Sequence, residues 1–134
     1  LVRLNERRLG DAIDESVEEV QELIAEVEPR VVTRLVAIPT VQNLQRELAR
    51  GNVIIVPVAA QILRNPHFQE PPPHYHMLVL RGYAVDGHFI TNEPGTERGE
   101  RYRYPFEVIM DAMHDLHEGN LAQGRKVVLV VEPL

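Results

Sequence analysis

Apolar and polar residues follow two different periods along this chain. Ile13, Val17, Val20, Ile24 and Val27 recur at steps of four and three, which predicts one apolar stripe on a helix over 12–27. Ser16 and Glu19 have capping-box spacing, with Asp14 as a rival cap, and the acidic residues near the start suit the helix dipole. The β-branched stretch "RVVTRLVAIP" (30–39) predicts a strand. Thr40 then caps a short helix, "VQNLQRELARG" (41–51), with Leu44 and Leu48 four apart and Gly51 as the stop. "NVIIVPV" (52–58) is continuously apolar and reads as a buried strand.

The second half changes character. Prolines exclude regular structure over much of "AAQILRNPHFQEPPPHYH" (59–76), so a long loop is expected, and long loops in compact domains often carry function. "MLVLRGY" (77–83) and "HFIT" (88–91) flank "AVDG", whose Asp-Gly is a strong hairpin signal. "NEPGTERGERYRY" (92–104) reads as a polar loop. Pro105 opens a helix over 105–119, with Phe106, Ile109, Met113 and Leu116 on one side. "RKVVLVVEP" (125–133) is the closing strand. The order predicts an α+β fold with a largely antiparallel sheet.

Length narrows this to a single domain over 1–134. At 44% hydrophobic residues the chain has enough apolar surface to fold. A net charge of −6 argues against nucleic acid as partner. No run approaches the roughly 20 apolar residues of a membrane helix, so no membrane partner is expected. The chain has no cysteine, which excludes disulfides, thiolate metal sites and a thiol nucleophile from these residues. It begins with leucine, from which a fragment or processed product is expected.

Candidate chemistry centres on the histidines. On a strand His74 and His76 would share a face and offer two metal ligands. A metal site needs a third ligand and usually a carboxylate, but Met77 to Arg81 supply none, so no metal or other cofactor is expected. The hairpin offers another arrangement. If Tyr83 or Val85 pairs with His88, His76 and Glu93 share a face and Asn92 takes the other. The four-residue loop leaves Glu93 about two residues out of line with His76, roughly 7 Å. A histidine beside a carboxylate or amide at a strand mouth is the base-and-orienter half of a catalytic triad. A polar strand end is the plainer reading.

The set "GNVIIVPV…HYHMLVLRGY…FITNEPGTERGERYRYPFEVIMDAMHD" resembles the papain-like cysteine peptidases of the bacteriocin-processing type, particularly their stand-alone bacterial relatives. The match covers 41–131 well and 12–40 loosely. The resemblance implies a papain-like fold and peptide-bond hydrolysis by a Cys-His-Asp mechanism on a peptide or protein substrate. It places the catalytic histidine at His76 and the orienting acid at Glu93, with Asn92 as the alternative. His74 falls outside the family's pattern and is assigned a loop or cleft-rim role; it and Tyr75 are the substrate-binding candidates. The family's aspartate is glutamate here, and its cysteine and oxyanion-hole glutamine have no counterpart in this chain. The expectation is therefore the C-terminal, histidine-bearing part of a peptidase domain, inactive alone, with a missing N-terminal segment or a second copy covering its apolar surface. The first alternative is a non-catalytic peptide-binding or scaffolding relative, and the second a metal-binding protein with its site at His74 and His76.

Overall fold

A computed structural model describes residues 16–116 and 124–133. The elements run α1 (Val17–Val27), β1 (Val32–Ala37), α2 (Val41–Ala49), β2 (Val53–Val58), α3 (Ala60–Leu63), β3 (His76–Ala84), β4 (His88–Asn92), β5 (Glu100–Pro105), α4 (Phe106–Ala112) and β6 (Val127–Glu132). The strands form one six-stranded sheet in the order β1-β6-β2-β3-β4-β5, and every neighbouring pair is antiparallel. With four helices beside this sheet among the described residues, the architecture is α+β.

The sheet is covered on both faces, which explains why β2 shows no alternation. Ile54, Val56 and Val58 enter a core with Leu44 and Leu48 of α2, Leu63 of α3, and Ile109 and Ala112 of α4. Ile55 enters the opposite core with Val17, Val20 and Ile24 of α1, together with Met77, Val79 and Leu129. Each fully buried aliphatic side chain of this kind contributes about 1.5–3 kcal/mol.

Several elements differ from the sequence reading. Ser16 occupies the N-cap of α1, but its side chain makes no capping bond. The N-terminal donor is met from elsewhere: the Val17 N–H donates to Asp115 Oδ1 at 3.2 Å, 98 residues along the chain. The rival cap Asp14, and Ile13 of the predicted stripe, lie outside the described residues. Val27 closes that stripe on the surface, 54% exposed. The segment 59–76 contains the short helix α3. "ERYRYP" is not loop but the edge strand β5, paired along β4.

The predicted helix over 105–119 ends at Ala112, and its residues 117–119 lie outside the described residues. The backbone instead turns extended at Met113 and pairs with the end of β2. Ala59 N–H donates to the Ala112 carbonyl at 2.7 Å, His114 N–H donates to the Pro57 carbonyl at 3.0 Å, and Met113 bridges Val58.

That turn brings Asp115 into the interior, 2% exposed. Its Oδ1 accepts from the Val17 and Leu116 N–H groups and from the Tyr75 hydroxyl, the last at 2.9 Å. Arg125 lies 3.7 Å from Oδ2. One carboxylate thus joins α1, the lead-in to β3 and the approach to β6. A second closure joins β4 to β5. Glu93 N–H donates to the Gly99 carbonyl at 2.9 Å. A β-carbon at residue 99 would stand 1.7 Å from the Glu93 carbonyl oxygen, so only glycine lets the two backbones meet.

Two outcomes follow for stability in urea unfolding. Asp115→Ala strips an acceptor from three donors, two of them in buried bonds, and is expected to cost about 3 kcal/mol, while Tyr75→Phe removes one of those bonds and costs about 1 kcal/mol. Gly99→Ala is expected to cost about 3 kcal/mol, because backbone rather than a yielding side chain stands in the way. A cost below a few tenths of a kcal/mol for either alanine variant would contradict these contacts.

Candidate active site

The hairpin closes in neither of the two registers expected from the sequence. Ala84 pairs with His88 across a three-residue turn, Val85 to Gly87, and Gly87 takes the positive φ of 91° that this turn requires. By parity alone this register would send Asn92, not Glu93, to the face of His76. A bulge at Arg81 reverses the outcome. Gly82 pairs with Ile90, but Leu80 pairs with Thr91 and Val79 with Asn92, so one extra residue is absorbed in β3. From there to the strand mouth, His76 and Glu93 share a face, two residues out of line.

His76 and Glu93 meet. His76 Nε2 is hydrogen-bonded to Glu93 Oε1, 17 residues along the chain, and the two residues are 2% and 3% exposed. An ionised carboxylate only accepts, so Nε2 carries the proton and the lone pair of the neutral ring lies on Nδ1. Among the described residues nothing hydrogen-bonds Nδ1. Phe68 packs edge-on against the imidazole, ring centroids 5.7 Å apart.

Glu93 is itself held from several sides. Gly95 N–H donates to Oε1 at 2.9 Å, and the Tyr104 hydroxyl donates to Oε2 at 2.7 Å. A β-carbon at residue 95 would fall 2.6 Å from the Phe68 ring and 3.1 Å from Oε1, so glycine lets the turn close over the acid. The Asn65 amide donates to the Tyr104 oxygen at 2.9 Å. Burial, then the neighbouring Glu93 charge, push the Tyr104 phenol far above its ordinary pKa, so it stays protonated and remains a donor. A cleft opens beside Glu93, walled by Phe68, Pro71 and Pro73 on one side and by the Pro94–Gly99 turn on the other. His76 does not line this cleft; Phe68, which does, packs against its ring.

The remaining sequence candidates do not join the pair. Asn92 is half-buried on the face opposite Glu93 and accepts from Arg81 at 3.3 Å, and both residues line the cleft. His74 is exposed and precedes β3, which begins at His76, so the two histidines form no strand pair. Tyr75 is fully buried, with its hydroxyl on Asp115, in the core opposite His76. Neither His74 nor Tyr75 lines the cleft. Among the described residues no group of three or more His, Asp or Glu could hold a metal ion.

Sequence reasoning missed Tyr104, Asn65 and Phe68. The signal for Tyr104 was the alternation of Tyr102 and Tyr104 with Arg101 and Arg103, a strand period inside a segment read as loop. For Asn65 it was the Asn-Pro dipeptide, a turn marker.

No protein-family model and no curated protein matches the chain. Among solved structures, a proposed C39-like peptidase from Bacillus anthracis superposes with a TM-score of 0.55 at 13% identity, over 84% of this chain and 56% of that one. The chain therefore spans little more than half the length of that neighbour. The likeness is one of fold: this chain shares with that neighbour an α+β arrangement of an antiparallel sheet with flanking helices.

Proposed function

We propose that His76 and Glu93 are the histidine–carboxylate half of a cysteine-peptidase centre of the bacteriocin-processing type. The thiolate comes from polypeptide outside these 134 residues, which contain no cysteine. The observation that carries this reading is the buried His76–Glu93 bond made through Nε2, with Nδ1 free of any described partner. In this reading Nδ1 takes the thiol proton, the thiolate adds to the substrate carbonyl, and His76 returns the proton to the leaving amine. Water then hydrolyses the thioester, again through His76. Glu93 fixes the tautomer and stabilises the imidazolium, the role that an aspartate has in the resembled family. Asn92, turned to Arg81, is the weaker candidate for that role. The cleft between Phe68 and the Pro94–Gly99 turn takes the peptide, and this chain alone does not hydrolyse it.

A second reading has one observation in its favour, the lack of any cysteine. In it, the domain is a non-catalytic relative that binds peptide in the same cleft. The full-length protein separates the two. The peptidase reading expects one cysteine, ahead of a helical run N-terminal to this segment, to be labelled by a thiol-directed covalent inhibitor. It also expects His76→Ala to lower kcat/KM for peptide hydrolysis on the order of 10³-fold or more, with the inhibitor adduct lost or greatly slowed. A full-length protein that is never labelled and never hydrolyses peptide, yet binds it, sinks the peptidase reading in favour of the second.

A further inference from the structure

Asn65 stands where the cleft wall and the histidine–carboxylate pair meet. It is 5% exposed and uses both ends of its amide. Its Oδ1 accepts from the His67 N–H at 2.8 Å, and its backbone carbonyl accepts from the Phe68 N–H at 3.2 Å, so it builds the turn from which the wall departs. Its Nδ2 donates to the Tyr104 oxygen. The same turn delivers two more contacts to the site. Phe68 packs on His76, and His67 packs edge-on against Tyr102, ring centroids 6.1 Å apart. Tyr102 in turn packs on Tyr104 at 4.7 Å.

We propose that Asn65 and Tyr104 are positioning residues, a hydrogen-bonded relay that sets the Glu93 carboxylate for His76 and ties the order of the pair to the wall of the peptide cleft. The directions of the bonds are forced. Glu93 Oε2 only accepts, so the Tyr104 proton points to it. The Tyr104 oxygen must then accept, and Asn65 Nδ2 is the donor it meets. With Oε2 held by Tyr104, the carboxylate plane is fixed and Oε1 is left to His76 and the Gly95 N–H. Without Tyr104, a nearly water-free carboxylate would have an unmet lone pair and freedom to rotate. A peptide that displaces the wall at Phe68 would pull on Asn65, and the relay carries that movement to the base.

This inference rests on the reading of His76 and Glu93 as base and orienter, but its test does not require activity. Full-length protein labelled with ¹⁵N-histidine is studied by NMR at about pH 8, above the carboxyl range. The wild-type His76 ring is expected in the Nε2–H form, with its proton at low field and protected from exchange. Glu93→Ala assigns the resonance by abolishing it.

Tyr104→Phe removes the donor to Oε2. Asn65→Asp keeps the acceptor for the His67 N–H, and so the turn, but replaces the donor to Tyr104 by an acceptor that competes for its proton. Both are expected to shift the Nε2 proton upfield and to speed its exchange with water about tenfold or more, while amide resonances remote from the site stay in place. A folded variant of either kind with an unchanged His76 resonance overturns the relay. Should Tyr104→Phe not fold, Asn65→Asp decides alone. Loss of the signature together with an inert full-length protein sinks the peptidase reading and leaves the relay standing. Hydrolysis together with an unchanged signature does the reverse.

Discussion

The Glu93 carboxylate is a charge almost wholly withdrawn from water, and much of the second half of the chain answers to that constraint. An isolated buried carboxylate costs several kcal/mol, so it persists only where donors surround it. Three do so here: the His76 ring, the Gly95 backbone and the Tyr104 hydroxyl. Each requirement propagates. Gly95 must be glycine for the turn to close against Phe68, Gly99 must be glycine for the chain to return past the Glu93 carbonyl, and β5 must run beside β4 to bring Tyr104 within reach. The polar cluster "NEPGT" is thus a cradle for one acid rather than a solvated loop.

A second buried carboxylate does a different job on the other side of the same strand. Tyr75 and His76 are neighbours in sequence and belong to opposite faces. Tyr75 is held by Asp115 in the α1 core, and His76 by Glu93 in the α2–α4 core. The start of β3 is therefore pinned from both faces at adjacent residues. The proposed role of His76 as a base calls for one held orientation, and such pinning supplies it, since the backbone that carries the ring cannot slide without breaking a buried polar contact on one face or the other. Asp115 also caps α1 in place of Ser16, so the helix that covers the far face and the strand that presents the histidine share one anchor.

The periods of the chain were enough to read the helices α1, α2 and α4, the strands β1 to β4 and β6, and the antiparallel character of the sheet. They were enough because these elements bury stripes or runs that local sequence displays. What was not legible has in each case a non-local cause. The cap of α1 comes from Asp115, a residue far along the chain. The helix α4 stops at Ala112 because the backbone that follows pairs with β2, a gain invisible in the helical stripe that continues to Leu116. β5 was hidden because an edge strand needs polar residues, and "ERYRYP" looks like loop for the same reason that it is a safe edge. The pairing of His76 with Glu93 was anticipated in the register that the strand mouth has, but not the route to it, a three-residue turn corrected by the bulge at Arg81.

That last point bears on how the site is built. A three-residue turn gives the hairpin its closure at Gly87, and closure of this kind alone would face His76 with Asn92. The extra residue at Arg81, five residues from His76, undoes that parity before the strand would deliver the wrong side chain to the acid's place. A matching irregularity lies across β4, where Thr91 pairs with Tyr102 but Asn92 with Glu100, and the extra residue Arg101 takes a positive φ of 56°. The two bulges flank β4 near the point where Glu93 leaves it, and both extra residues are arginines whose side chains are exposed to solvent. Bulges re-aim side chains at sheet ends. Here one brings the acid to the face of the histidine, and the other lets the chain turn back so that Tyr104 closes on the acid from the far side. A glutamate suits this geometry. His76 and Glu93 stand about two residues out of line, roughly 7 Å along the strand, and the additional methylene lets the carboxylate reach along the sheet to Nε2 while its other oxygen still meets Tyr104.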